Sequence, residues 1–181
     1  MTISETSRAR RATDYRELMS MRGPVLDVKP VSGTPPYVDA YELTINVRSI
    51  VGPEPTYRGV HKVHLSLPAG YPLSDFPKAV MISKPYTFHP NWFKNGAWCY
   101  GSGSLCTEGL GNFVVRLIQT MQFDENLIDL NSVANLDAGN WYRQHKNIPG
   151  LFPCDTTKLP QPAVGGMMIK KVNKRYISNV I

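Results

Sequence analysis

The sequence predicts an α+β fold in which an antiparallel sheet follows one helix and precedes others. Two observations favour this class. Segments with alternating apolar and polar residues occupy the middle of the chain, and helical spacings of apolar residues flank them on both sides. A parallel βαβ architecture would require strands and helices to alternate along the chain, and in this sequence they do not. The expected order is therefore helix, strand meander, irregular cysteine-bearing segment, and further helices.

The first predicted helix covers residues 8 to 21. Its apolar stripe consists of Ala12, Tyr15, Leu18 and Met19. Arginines take the other positions, which is typical of an amphipathic surface helix. Gly23 and Pro24 are expected to end it.

The central segments have the period of strands. Residues 41 to 47 alternate strictly, with Tyr41, Leu43, Ile45 and Val47 as the apolar set. The stretch VGPEPTYRG at 51 to 59 predicts a turn, and alternation resumes from 63 to 67. A shorter apolar run follows at 79 to 82. An antiparallel meander of three or four strands accommodates these segments.

Two helices are predicted beyond the meander. Asn112 is a candidate cap for the first, whose buried face would be Phe113, Val114, Leu117, Ile118 and Met121. The second is expected to begin near Ser132 and to stop before Pro149 and Gly150. Residues 149 to 181 begin with a stretch rich in proline and glycine and end in a basic tail. We therefore predict one domain over residues 1 to 148, followed by a strap and tail over 149 to 181.

The composition limits which binding partners and which cellular compartment we expect for the protein. The chain of 181 residues is 42% hydrophobic and 19% charged, as a globular domain is. Its net charge of +6 concentrates near the two ends, so nucleic acid is not the expected partner. Three cysteines cannot all pair, and no segment approaches 18 apolar residues. We expect a cytoplasmic protein without a secretion signal or membrane span.

Cys99 ends the loop sequence HPNWFKNGAWC, which begins at His89. Pro90 fixes a backbone angle there, and Asn95 with Gly96 favours a tight turn. A lone cysteine is more often a small buried hydrophobe than a nucleophile. Local chemistry alone therefore favours packing for Cys99.

Several motifs stand in order around this loop. YRGVHKVHLSLPAGYPLSDFP covers residues 57 to 77, the His-Pro-Asn triplet stands ten residues before Cys99, and SVANLDAGNWY covers 132 to 142. In order and spacing, residues 8 to 146 resemble the ubiquitin-conjugating enzyme family. The resemblance implies a four-stranded antiparallel meander, an N-terminal helix and helices after the catalytic loop. The stretch after Cys99 lacks the Trp and Pro pair of eukaryotic members and is more similar to divergent bacterial relatives.

The activity that this resemblance implies is transfer of a ubiquitin-like modifier. Cys99 would take the modifier from an adenylating activating enzyme as a thioester and pass it to a lysine amine of a target protein. A thiolate suits this relay because it is both a good nucleophile and a good leaving group. The resemblance implies no cofactor and no membrane partner.

Four residues accompany Cys99 as candidate catalytic residues. Asn91 would donate to the developing oxyanion, or it would brace the turn. His89 is expected to tie the loop to the backbone, although a generic interpretation makes it a base. Ser132, with Asp129 close by, would assist deprotonation of the incoming lysine, whereas the competing interpretation makes Ser132 a helix cap.

The N-terminal helix is the expected contact for the activating enzyme. Its candidate residues are Arg8, Arg10, Arg11 and Arg16. The alternative is that these arginines form an ordinary solvated helix face.

Three other interpretations of the sequence are open. The first is a noncatalytic module of the same fold that binds a ubiquitin-like protein; such modules typically lack the cysteine. The second is a thiol hydrolase that pairs Cys99 with one of the histidines 61, 64, 89 and 145. The third is a zinc site that includes Cys106 and His89, but this spacing matches no common ligand set. We expect no metal, and we interpret Cys106 and Cys154 as packing residues.

Overall fold

The computed structural model of the chain describes residues 3–100, 108–153 and 158–162. Its elements are α1 (Ile3–Ser20), β1 (Leu26–Thr34), β2 (Tyr37–Ile45), β3 (Ser49–Gly52), β4 (Thr56–Arg58), β5 (His61–Ser66), β6 (Lys78–Met81), α2 (Leu110–Met121), a 3₁₀ turn (Glu125–Leu127) and α3 (Leu136–His145). The α+β class is confirmed. Among these residues no helix combines the length and the apolar character needed to cross a bilayer.

The main sheet has four antiparallel strands in the order β1-β2-β5-β6. The predicted pairing of the two alternating segments is confirmed, because Tyr41 stands opposite Leu65 and Leu43 opposite Val63. All four of these side chains are buried. They form the sheet side of the main core, against which α1 and α2 pack.

Strand β1 is an element that the sequence pattern did not predict. Its outer half exposes its side chains, and its register shifts on both sides of Ser32. Pro30 and Gly33 interrupt any alternation there, and an edge strand tolerates proline because one side of its backbone has no partner. The turn predicted at 51 to 59 also contains structure, the small hairpin of β3 and β4.

Helix α2 buries all five residues of its predicted face. Its predicted cap is wrong, because the helix begins at Leu110 and places Asn112 within its first turn. Two carboxyl groups of α1 accept hydrogen bonds from the first backbone N–H groups instead. Asp14 Oδ1 lies 3.4 Å from the nitrogen of Leu110, and Glu17 Oε2 lies 3.0 Å from that of Gly111. The start of α2 is therefore capped by a different helix.

A smaller aromatic core lies beside α3. It is formed by Ile50, Phe123, Trp141 and Tyr142. The predicted helix start near Ser132 is wrong, because α3 begins at Leu136 and Asn135 Oδ1 accepts from the Ala138 N–H at 3.3 Å. Leu151 and Phe152 pack on this cluster, and Leu159 packs on the main core. The described part of the strap therefore lies against the domain.

Candidate functional site

The loop that leads to Cys99 folds as a tight hairpin. Phe93 N donates to Ala97 O at 2.8 Å, and Gly96 N donates to Phe93 O at 2.9 Å. Gly96 has a φ of +91°, and a Cβ there would lie 2.6 Å from the carbonyl oxygen of Met81. Met81 N donates to Gly96 O at 2.7 Å, which attaches the hairpin to β6. The predicted turn at Asn95 and Gly96 is confirmed.

Cys99 has a fixed backbone on both sides. Its N–H donates to Asn91 O at 3.0 Å. The neighbouring rings of Trp98 and Tyr100 both contact Phe113 of α2, with centroids 5.1 and 5.2 Å away. The cysteine is a free thiol and is partly exposed. The rings on either side of Cys99 therefore pack on α2 while the cysteine stays partly exposed.

A small pocket of about 80 Å³ lies next to this thiol. Its lining residues are Asn91, Trp98, Cys99, Tyr100, Arg116, Thr120, Leu127, Asp129 and Ser132. Four of the five predicted catalytic residues therefore share one pocket. The fifth, His89, lies behind it and does not line it.

Asn91 joins the cysteine loop to the loop before α3. Its Nδ2 donates to Asp129 O at 2.8 Å and to Ser132 O at 2.9 Å. Its Oδ1 accepts from the Asp129 N–H at 2.9 Å. Both amide hydrogens are thereby used, and the side chain is 3% exposed. Of the two interpretations, this geometry is that of a brace.

His89 is completely buried. Its Nδ1 accepts from the Asn91 N–H at 3.0 Å, and its ring lies 4.5 Å from that of Phe123. Burial lowers the pKa of His89 to about 3, so the imidazole is neutral at physiological pH. Its lone pair is already bound to its own loop. Through this hydrogen bond His89 ties the two ends of the His-Pro-Asn triplet together.

Asp129 and Ser132 are exposed at the edge of the pocket. Asp129 Oδ1 accepts from the N–H groups of Asn131 at 2.8 Å and Ser132 at 3.2 Å, which fixes the turn. Because Asn135 caps α3, the interpretation of Ser132 as a cap is wrong. Both residues line the pocket at Cys99.

The four arginines of α1 do not share one environment. Arg8 and Arg16 are exposed. Arg11 is 8% exposed and bonds to backbone carbonyls, while Arg10 forms a 2.9 Å ion pair with the buried Asp14. Half of the predicted contact set thus stabilises the fold. The helical pattern missed this because it treats every arginine as a surface residue.

The other candidate chemistries find less support in the described residues. No histidine lines the pocket there, and His61 is buried with Nε2 3.1 Å from Arg58 O. Within the same ranges, no three side chains of the metal-binding types cluster. Cys106 and Cys154 lie outside the described residues.

Arg116 and Thr120 are pocket residues that sequence reasoning missed. They stand four residues apart on α2, beside its buried stripe, and both line the pocket at Cys99. Their spacing places them on one helix face. That spacing is a signal the sequence carries, but the contact with Cys99 depends on how α2 crosses the loop.

Comparison with known proteins yields matches among solved structures. No family model matches the sequence, and no curated protein matches it. The solved structure of human ubiquitin-conjugating enzyme E2 G1 is 23% identical, with a TM-score of 0.49. The match covers 64% of this chain and 93% of that one. A functional proposal must therefore rest on the motifs and on the pocket.

Proposed function

We propose that this protein is a conjugating enzyme that carries a ubiquitin-like modifier as a thioester on Cys99. One observation supports the proposal most strongly. Asn91 of the His-Pro-Asn triplet bonds to Asp129 and Ser132, which lie 38 and 41 positions away, and all three line one pocket with the thiol. The motifs that suggested the activity are far apart in sequence and adjacent in space.

The chemistry is two acyl transfers. In the first, the Cys99 thiolate attacks the carbonyl carbon of the modifier's thioester, a new S–C bond forms, and the activating enzyme's thiolate leaves. In the second, a lysine amine of the target attacks the same carbon, an N–C bond forms, and the Cys99 thiolate leaves. The amine proton passes to solvent or to a nearby acceptor. No oxidant and no metal is required.

The pocket offers polar groups for the second step. The Asp129 carboxyl is exposed and would attract a lysine ammonium, orient it and accept its proton. The Ser132 hydroxyl would hydrogen-bond the amine as it approaches. Arg8 and Arg16, the exposed arginines of α1, would contact the activating enzyme. We place the reaction in the cytoplasm, with a modifier of the bacterial ubiquitin-like type.

A gel assay tests the proposal. The protein is incubated with ATP, tagged ubiquitin-like modifiers and their activating enzymes, and then run without reductant. The wild type is expected to form an adduct that thiols remove. Cys99→Ala should form none, and Cys99→Ser should form an ester that thiols do not remove. Single replacements of Cys106 and Cys154 by alanine are the matched controls and should retain the adduct.

Two results of this assay would contradict the proposal. If wild type and Cys99→Ala bind the modifier equally and neither forms an adduct, the protein is a binding module. An adduct that persists in Cys99→Ala would place the reactive thiol elsewhere. Labelling with iodoacetamide in the same samples establishes that the Cys99 thiol was reduced and reachable.

A further inference from the structure

Arg116 is a cation in the wall of the Cys99 pocket. It lies on α2 and is partly exposed, and its Nη2 donates to Glu108 Oε1 at 2.8 Å. A guanidinium has five N–H donors, and the described residues accept from only this one nitrogen of Arg116. The ion pair fixes the side chain and leaves donors for the pocket.

Asn91 cannot serve as the donor for an oxyanion while the loops are closed. Both of its amide hydrogens are bonded to backbone carbonyls, at 2.8 and 2.9 Å. Releasing either one would leave a partly buried carbonyl without its partner, which is unfavourable. The tetrahedral species at Cys99 therefore needs a donor from another part of the pocket.

We propose that Arg116 is this donor and that it stabilises the oxyanion formed when the modifier's carbonyl carbon is attacked at Cys99. The inference rests on the conjugating function proposed above. A pocket of about 80 Å³ holds only a few water molecules, so its walls lie close together. A charged donor in such a confined site stabilises a developing negative charge more strongly than a neutral one does.

Among the described residues that line the pocket, the charged ones are Arg116 and Asp129. Their opposite charges suit two different groups in the transfer of the modifier to the lysine amine. The guanidinium would face the carbonyl oxygen as it becomes negative, and the carboxyl would face the incoming ammonium. Arg116 thus acts on the modifier, and Asp129 acts on the acceptor.

Discharge kinetics test this role. The adduct is formed, separated from the activating enzyme and mixed with free lysine, and its decay is followed in one turnover. Arg116→Gln is expected to slow discharge by about 10²-fold, as loss of an oxyanion donor does elsewhere. Arg116→Lys should recover part of the rate. The dependence on lysine concentration should not change, because the residue does not bind the acceptor.

Arg22→Gln is the matched control. Arg22 also pairs with a carboxylate at 2.8 Å, that of Asp27, but it does not line the pocket. This variant should discharge at the wild-type rate. Thermal unfolding of each variant shows whether it is folded at the assay temperature.

A second measurement needs no modifier. Cys99 is alkylated in parallel with anionic iodoacetate and neutral iodoacetamide, and the ratio of the two rates is taken. A cation beside the thiol favours the anionic reagent, so Arg116→Gln should lower this ratio by about three- to fivefold. Arg22→Gln should leave the ratio unchanged.

The outcomes separate the two proposals. If no modifier forms an adduct with the wild type, the conjugating function fails, and the role of Arg116 fails with it. If the wild type forms an adduct but Arg116→Gln discharges it within threefold of the wild-type rate, the role of Arg116 alone is overturned. An unchanged alkylation ratio in Arg116→Gln likewise overturns it, because the guanidinium then does not face the sulfur.

Discussion

At the scale of single residues, His89 is a histidine that the fold keeps uncharged. Its ring is completely buried, and Nδ1 accepts from Asn91 N. Burial lowers its pKa from the ordinary 6.5 to about 3. Between these two values the unfolded chain binds a proton at this residue and the folded chain does not. Folding is therefore coupled to pH through a residue beside the cysteine loop.

We expect acid to destabilise the protein through His89. The stabilisation that comes from the neutral ring is complete above pH 6.5 and is lost as the pH falls towards 3. Between pH 7 and pH 5 the loss is about 2 kcal/mol. His89→Asn keeps an acceptor for the Asn91 N–H but does not titrate. Urea unfolding at several pH values should therefore show a flatter pH dependence for this variant.

The wild type and His89→Asn share every other titrating group, so each serves as the control for the other. His61 is also buried, its pKa is also lowered by burial, and its contribution remains in both. If the two proteins lose equal free energy of unfolding between pH 7 and pH 5, His89 is not the source of the dependence.

The cysteine loop shows how much of a site a sequence reveals. The turn at Gly96 was predictable because only a few residue types favour such a backbone. Motif spacing singled out Cys99, whose catalytic role stays a prediction. The partners of the Asn91 amide were not, because they are backbone carbonyls of a loop 38 and 41 positions away. Arg116 was missed for the same reason, since no local pattern records which helix face crosses the loop.

At the scale of elements, α1 and α2 are connected by polar groups in the protein interior. Asp14 is 1% exposed, and its carboxyl accepts from Arg10 Nε at 2.9 Å and from the Tyr71 hydroxyl at 2.7 Å. It also lies at the first N–H of α2, that of Leu110. One carboxyl therefore connects two helices and the loop after β5.

Asp14→Ala is expected to destabilise the protein by about 3 kcal/mol. The substitution leaves the donors of Arg10, Tyr71 and Leu110 without their acceptor in a buried site. Urea or thermal unfolding measures the loss. Asp27→Ala is the matched control, because the Asp27 pair with Arg22 is exposed and should contribute little. Equal losses in the two variants would contradict this view of the interior.

The elements differ in how clearly the sequence indicates them. Strands β2 and β5 were predictable because one face of each is buried and its apolar residues alternate, and β6 was predictable from its short apolar run. Edge strand β1 was not, since Pro30 and Gly33 break the pattern and the side chains of its outer half are exposed. The buried face of α2 was predictable from its period, whereas its cap was not, because Asp14 and Glu17 lie more than 90 positions before it.

At the scale of the whole molecule, the strap after α3 packs on the domain. The ring of Phe152 lies 5.2 Å from that of Phe123 and 5.1 Å from that of Tyr142. The Tyr57 hydroxyl donates to Leu151 O at 2.6 Å. The predicted boundary at residue 148 separates α3 from these contacts, so the boundary can be tested through stability.

Two shortened chains make that test. We compare a chain that ends at Ile148 with one that ends at Pro162. The free energy of unfolding of the shorter chain is expected to be about 2 kcal/mol lower, because it lacks the apolar contacts of Leu151 and Phe152. Phe152→Ala in the full chain should reproduce most of the loss, as urea unfolding can measure. If both shortened chains match the full chain, residues 149 to 162 contribute no stability, and the domain ends where the sequence predicted.

The two rings that flank Cys99 also bear on the dynamics of the thiol. With Trp98 and Tyr100 both packed on Phe113 and the Cys99 N–H bonded, the backbone at the sulfur is held, and rotation about χ1 is the motion left to it. A nucleophile with one torsion loses little conformational entropy when it reaches the carbonyl carbon. In the reaction proposed above, this would raise the effective molarity of the sulfur. Aromatic packing on either side of Cys99 would therefore position the nucleophile, a task that a neighbouring catalytic residue performs in other enzymes.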